Sequence, residues 1–302
     1  MRKKVFIHIG FHKTATTFLQ QNVYPKLKQE IKYIRKKRID QELYDLRLKR
    51  LSDENIYTIR TNIEAFMHPD KPVLISYEGL SGSPFSQKKS KNNLKVLEDL
   101  RRTFPADTYD THIIVGVRDQ IDLLTSLYVQ YLHQGGYKSA KALFKDWEDH
   151  GILDHYHYYR YLQKIEELFG PDNYYLLQYE NFRKDEYGQI LQLLQYMGID
   201  RVPKYNRSKL NRSYGVMQAV IARKLNYFVK TPLNPNGKIP IVDIPKIGLV
   251  SPRRLLQNNA SFALHYKRYS LPVNLQKVLQ LKYQKDNEKL AEAYQIKDYS
   301  KS

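Results

Sequence analysis

A short apolar run that stops at a glycine constrains this chain more than any other feature. Val5-Phe6-Ile7-His8-Ile9 reads as a buried strand, and Gly10 breaks it. Lys13, Thr14, Thr16 and Thr17 follow within five residues. Phe18, Leu19, Val23 and Leu27 then recur at three-to-four spacing, which predicts a helix. A strand, a tight turn and a helix start point backbone N–H groups and a helix dipole at a bound anion. Lys13 adds a full positive charge and the threonines add hydroxyl donors. The plainer reading is an ordinary α/β turn in which a threonine caps the helix.

The same alternation continues down the chain. Ile31–Ile34, Pro72–Leu80, His112–Asp119 and Tyr174–Tyr179 read as strands, with helical patterns between them up to Tyr187–Met197. Strands alternating with helices predict an α/β fold whose central parallel sheet is flanked by helices on both faces. In such sheets ligands sit at the carboxyl ends of the strands. That rule singles out Glu78 and Arg118, which follow the second and third long strand patterns. Glu78 on position alone could equally be a helix cap or an ion-pair partner.

Past residue 200 the pattern changes. Val216–Lys230 reads as a helix. Thr231–Pro252 is rich in Pro, Gly and Asn with interspersed apolar residues, as in a long ordered loop or lid, and Val273–Tyr294 reads as a basic amphipathic helix. The expectation is a single domain over 1–302, with a core at 1–200 and a helical extension at 201–302.

Charge narrows the partners. Fifty Lys and Arg against 31 Asp and Glu give a formal charge of +19, which attracts nucleotides, nucleic acid, acidic polysaccharide or anionic lipid. The basic residues are scattered and form no nucleic-acid motif, so no nucleic-acid partner is expected. The absence of cysteine excludes disulfides, thiolate catalysis and Cys-ligated metals. No apolar run reaches the roughly 18 residues of a membrane span. Met1-Arg2-Lys3-Lys4 precedes too short an apolar stretch for a signal peptide. These features predict a cytoplasmic location and leave open a peripheral contact at the inner membrane surface.

Three blocks, in this order, resemble the sulfotransferases that use 3′-phosphoadenosine 5′-phosphosulfate (PAPS). The first is Gly10-Phe11-His12-Lys13-Thr14-Ala15-Thr16-Thr17, similar to the family's loop for the 5′-phosphosulfate, with Ala15 where many members carry Gly. The second is Val117-Arg118 with Ser126 eight residues later and then Tyr128, similar to the 3′-phosphate site. The third is Tyr179-Glu180-Asn181-Phe182 ahead of a helix ending Met197-Gly198-Ile199. Asp286–Ala291 with Tyr294 resembles the ending of bacterial carbohydrate sulfotransferases.

The resemblance implies a P-loop-like three-layer fold and transfer of a sulfuryl group from PAPS, with PAP as product and no metal required. The acceptor it implies is a hydroxyl or amine of a carbohydrate or glycolipid. Gly10, Lys13, Thr14, Ala15, Thr16 and Thr17 would hold the phosphosulfate. Arg118 and Ser126 would hold the 3′-phosphate, and Arg212 would complete the donor site. Lys13 would stabilise charge developing on the leaving phosphate oxygen. Glu78 is the candidate base, matching a glutamate used by the polysaccharide-modifying branch. His12 is its rival, because an ordinary imidazole, at a pKa of ~6.5, is better matched to neutral pH than a carboxylate at ~4.3. The competing readings are a P-loop kinase or NTPase and a non-catalytic basic anion-binding module. The first lacks the Gly-Lys-Ser/Thr ending of its loop, and here Arg118 stands where a Mg²⁺-holding Asp would end the strand.

Overall fold

The computed structural model describes residues 2–82, 84–85, 91–206, 214–240, 242–244, 248–250, 256, 267–296 and 298–301. The chain divides into two compact units. One comprises Met1–Asp119, Gly151–Ser208 and Tyr283–Ser302, the other Gln120–His150 and Lys209–Lys282. The boundary between them thus falls inside the C-terminal helix, Val273–Tyr294.

The first unit is built on five parallel strands: β1 (Lys3–His8), β2 (Lys32–Ile34), β3 (Val73–Ser76), β4 (Tyr109–Val117) and β5 (Tyr174–Gln178). Their order is β2-β3-β1-β4-β5, with Ile7 of β1 opposite Ile75 and Ile113. Continuous apolar runs such as Val73-Leu74-Ile75 form these strands because both faces are covered. Phe6, Leu74, Ile114 and Leu177 enter one core with Leu19, Val23, Phe182, Ile190 and Leu193. The alternate residues Val5, Ile7, Ile75, Ile113 and Val115 are equally buried on the other face. There α4 (Asn93–Thr103), the helix that follows α2 (Asp40–Leu48) and α3 (Asp53–Glu64) in the chain, packs on the helix Tyr158–Phe169, and the latter also packs on β4 and β5. The expected three-layer architecture is the one that forms, and the C-terminal helix is present.

Two local expectations change. The apolar spacing after Thr16 predicts one regular helix. Instead an α-helical turn, α1 (Thr16–Phe18), passes into a π-helical turn at Leu19–Val23 and a 3₁₀ turn at Tyr24–Lys26. Pro25 has no N–H with which to close the next α-helical bond, so the ladder shifts around it. The strand pattern Pro72–Leu80 is also cut short. β3 ends at Ser76 and Glu78–Ser81 forms a 3₁₀ turn, closed by Gly82 at φ 119°, a conformation that favours glycine.

In the second unit, α5 (Gln120–His133) packs against α10 (Val216–Phe228), and Trp147 is buried against Phe144. (Between them in chain order lie α6, Ala140–Asp149; α7, Tyr158–Phe169; α8, Tyr179–Lys184; and α9, Glu186–Tyr196.) The stretch expected as a loop carries short strands. Ile239–Pro240 pairs in parallel with Val229–Lys230, and Val242–Ile244 pairs antiparallel with Gly248–Val250. Residues 241, 245–247, 251 and 252 of that stretch lie outside the described residues. Among the described residues no helix is long and apolar enough to cross a membrane.

Candidate active site

Strand order creates the site. The sheet's connections diverge between β1, whose continuation leads toward β2, and β4, whose continuation leads toward β5. A crevice opens at the carboxyl ends of two such strands. The loop after β1 carries Gly10 to Thr17, and Arg118 follows β4 directly. The loop is pinned to β4, since the N–H of Ile9 donates to the carbonyl of Ile114 (2.9 Å) and that of Phe11 to Gly116 (3.1 Å).

Two non-glycine residues of the loop, Lys13 and Ala15, hold φ at +67°. A left-handed residue followed by the right-handed Thr16 turns successive N–H groups the same way, a concavity suited to an anion. Ala15 is the cap residue of α1 and offers no side-chain oxygen to the first-turn N–H groups. The positive φ gives the physical reason why Gly is the commoner residue at this position in the resembling family.

The threonines divide their roles. Thr14 is fully buried and its hydroxyl donates to the carbonyl of Phe11 at 2.5 Å, so only its backbone faces a ligand. Thr16 is also buried, and its Oγ1 has no partner among the described residues. Thr17 is exposed. Gly10 is required by this packing, because a Cβ there would stand 2.7 Å from Thr16 Oγ1 and 2.8 Å from His8 Nε2. An orphaned buried hydroxyl beside an N–H concavity fits the oxygens of a phosphosulfate.

Glu78 stands across from the loop. Its Oε1 is 3.4 Å from His12 Nδ1, and His12 Nε2 donates to the Gly82 carbonyl at 3.0 Å. Both ring nitrogens of His12 therefore face acceptors. Burial pushes the Glu78 carboxyl up. The hydrogen bond and charge of His12 and the charge of Lys13 outweigh it, so the carboxyl sits below its ordinary value. The structure thus brings Lys13, His12 and Glu78 together.

Arg118 is held from three sides. Its guanidinium lies 4.5 Å over the Tyr179 ring, Nη1 reaches the Lys13 carbonyl at 3.4 Å, and its own carbonyl accepts from the Tyr158 hydroxyl at 2.9 Å. Glu180 fastens the next residue, accepting from the N–H of Asp119 (3.0 Å) and the hydroxyl of Tyr299 (2.8 Å). The Tyr179-Glu180 block, which the sequence marks only as structural, therefore supports Arg118. Ser126 is half-buried on α5, in the second unit. Arg212 lies outside the described residues.

Sequence reasoning passed over His8, the last residue of β1. Tyr24 Oη (2.9 Å) and Ser76 Oγ (3.1 Å) both face its Nδ1, and Gln20 Nε2 donates to the Ser76 hydroxyl and carbonyl. The two hydroxyls satisfy Nδ1, and Nε2 has no partner among the described residues. Burial lowers this histidine to about 4, so it is neutral at physiological pH. The signal was in the alternation: His8 falls on the same strand face as the buried Phe6. Gly116 was missed too. A Cβ there would stand 2.5 Å from Thr14 Oγ1, so the loop needs a bare backbone on β4.

Among solved structures the chain is similar to a sulfotransferase from Alicyclobacillus acidocaldarius, at 18% identity over 69% of this chain and 86% of that one, TM-score 0.48. It is similar to a mouse sulfotransferase complexed with PAP, at 14% identity over 100% of this chain and 88% of that one, TM-score 0.45. A sulfotransferase domain from the curacin biosynthetic pathway gives 12% identity, 94% and 98% coverage, and TM-score 0.39. No curated protein matches. The family model described as "Sulfotransferase family" matches residues 5–203, from β1 to just past α9 and well over half of the sequence, and the chain belongs to that family.

Proposed function

We propose that the chain moves the sulfuryl group of PAPS to a hydroxyl or amine of a carbohydrate or glycolipid, releasing PAP, in the cytoplasm. What supports this most is one convergence: the Glu78–His12 pair, Lys13 and Arg118 meet at the loop that follows β1. The loop N–H groups, with Gly10, Lys13, Ala15, Thr16 and Thr17, would hold the phosphosulfate, and Arg118 its 3′-phosphate as a planar fork. For Ser126 and Arg212 as further donor residues the support is the sequence pattern alone.

Each residue has a separate task. Glu78 takes the acceptor's proton as the new S–O bond to a hydroxyl, or S–N bond to an amine, forms. Lys13 neutralises the phosphate oxygen as the old S–O bond breaks, where charge appears only in the transition state. His12 donates to Glu78 and orients it. The low carboxyl pKa means Glu78 is ionised and ready, though intrinsically weak as a base. The high net charge suits an anionic acceptor.

Calorimetric titration tests the donor assignment. PAP should bind without Mg²⁺, and Lys13→Ala should abolish labelled-sulfate transfer to cell-surface glycans and glycolipids without unfolding the chain. Binding of ATP that requires Mg²⁺, with no affinity for PAP, would replace this reading with a kinase or NTPase.

A further inference from the structure

Helix α10 is turned inside out. Its buried residues are Gln218, Ala219, Ala222 and Asn226. Its large apolar residues face outward: Met217 is 55% exposed, Val220 41%, Tyr227 61% and Phe228 51%, with Val216 beside them. A helix held by the hydrophobic effect shows the opposite arrangement. At about 100° per residue, positions 216, 217, 220, 224, 227 and 228 fall on one arc, so the apolar residues form a continuous stripe with Lys224 in its middle.

Hydrogen bonds fix that orientation. Asn226 Nδ2 donates to the carbonyls of Leu132 and Gly136, both at 2.8 Å. Asn234 Nδ2 donates to the carbonyl of Asn226 at 2.8 Å. Gln218 accepts from the Gly215 N–H and donates to the Leu256 carbonyl. Rolling the helix to hide its stripe would strand these amides without partners.

Charge surrounds the stripe. Residues 209–282 contain thirteen Lys and Arg and a single acid, Asp243. No Asp or Glu occurs between Tyr214 and Pro240, and Lys224, Lys230 and Lys238 are exposed.

We propose that this face of α10 docks the chain on an anionic lipid bilayer. Met217, Val220, Tyr227 and Phe228 enter the interface, while Lys224 and Lys230 meet the headgroups. The aliphatic and aromatic composition argues for a bilayer over an acidic polymer, which has use for the lysines but none for Met217 or Phe228. The charge argues against a second copy of the chain, since like faces would press this basic segment against itself. The inference is independent of the donor and acceptor assignments above.

Co-sedimentation of the full chain with vesicles tests it. Vesicles of phosphatidylglycerol and phosphatidylcholine in equal parts should bind about tenfold or more tightly than phosphatidylcholine alone, and added salt should weaken the difference. The combined substitution Met217→Ser, Val220→Ser, Phe228→Ser should cut binding about tenfold or more. Lys224→Glu, a milder change, should cut it severalfold. Both variants should keep the wild-type urea midpoint, because the positions are exposed. Four results would overturn the proposal. The wild type could stay in the supernatant, or both variants could sediment like wild type. Alternatively, light scattering could reveal a dimer that the triple variant splits, which would assign the face to a second copy. Equal loss of heparin and vesicle binding in the triple variant would likewise assign it to an acidic polymer.

Discussion

Gly116→Ala is the sharpest perturbation of the phosphosulfate loop, because it adds one methyl group outside the loop itself. The new Cβ would stand 2.5 Å from Thr14 Oγ1 and 2.8 Å from Thr14 Cβ, where ordinary contact begins at 3.4 Å. Thr14 must therefore retreat by about 0.9 Å. It cannot do so and keep its hydroxyl on the Phe11 carbonyl, a bond already at 2.5 Å. A buried hydroxyl left without its partner costs about 1–3 kcal/mol, and the crowding adds about 1–3 kcal/mol more. The expected loss of stability is about 2–6 kcal/mol, read as a lower urea midpoint at unchanged slope. A loop displaced by nearly 1 Å should also cost up to about a hundredfold in turnover, with weaker PAP binding measured by calorimetry. Thr14→Gly in the same chain removes both clashing atoms, so the two changes should be non-additive. Gly116→Ala with wild-type midpoint and PAP affinity would refute the claim that β4 shapes the loop through this glycine.

Three further outcomes are expected. Ala15→Gly removes a left-handed strain of roughly 1–2 kcal/mol but returns about 0.4–1 kcal/mol of unfolded-state entropy. Chemical denaturation should show a small net gain, and a loss above about 0.5 kcal/mol would mean that the Ala15 methyl, which packs on the core, outweighs the strain. Glu78→Gln should lower kcat about a hundredfold or more while donor affinity holds. Because the Glu78 carboxyl lies below its ordinary value, the acid limb of kcat should fall only below about pH 4.5; a comparable loss of kcat in His12→Ala, with Glu78→Gln near wild type, would make His12 the base. Burial holds His8 at about 4, below the ordinary imidazole value of 6.5, so the unfolded chain binds this proton more readily than the folded one. Stability should be full above pH 6.5 and fall by about 3 kcal/mol toward pH 4, with His155 acting in the same sense. His8→Asn should flatten that slope by close to one proton, and an unchanged slope would count against a neutral buried His8.

The strands were legible because strands buried on both faces need unbroken apolar runs, and Val73-Leu74-Ile75 or Ile113-Ile114-Val115 can hardly be read otherwise. Their order was not legible. Nothing in the run at β3 says that it lies between β2 and β1, since the crossovers that decide this are non-local. The first helix misled for a local reason: apolar spacing describes which side is buried, and Pro25 decides which hydrogen bonds close.

Much the same division runs through the site. Sequence alone determined the chemical inventory. Lys13 and the threonines after a strand-ending glycine, with Arg118 after another strand, are the residue types an anion site uses at the carboxyl ends of parallel strands, against the plainer reading of a capped turn. Tertiary structure decided how each group is used. It turned the Thr14 hydroxyl inward onto Phe11, set Glu78 against His12, stacked Arg118 on Tyr179, and made Gly116 and His8 part of the loop's support. Those roles depend on which side chains meet across strands far apart in sequence, and contact at that range is fixed by packing rather than by any pattern along the chain.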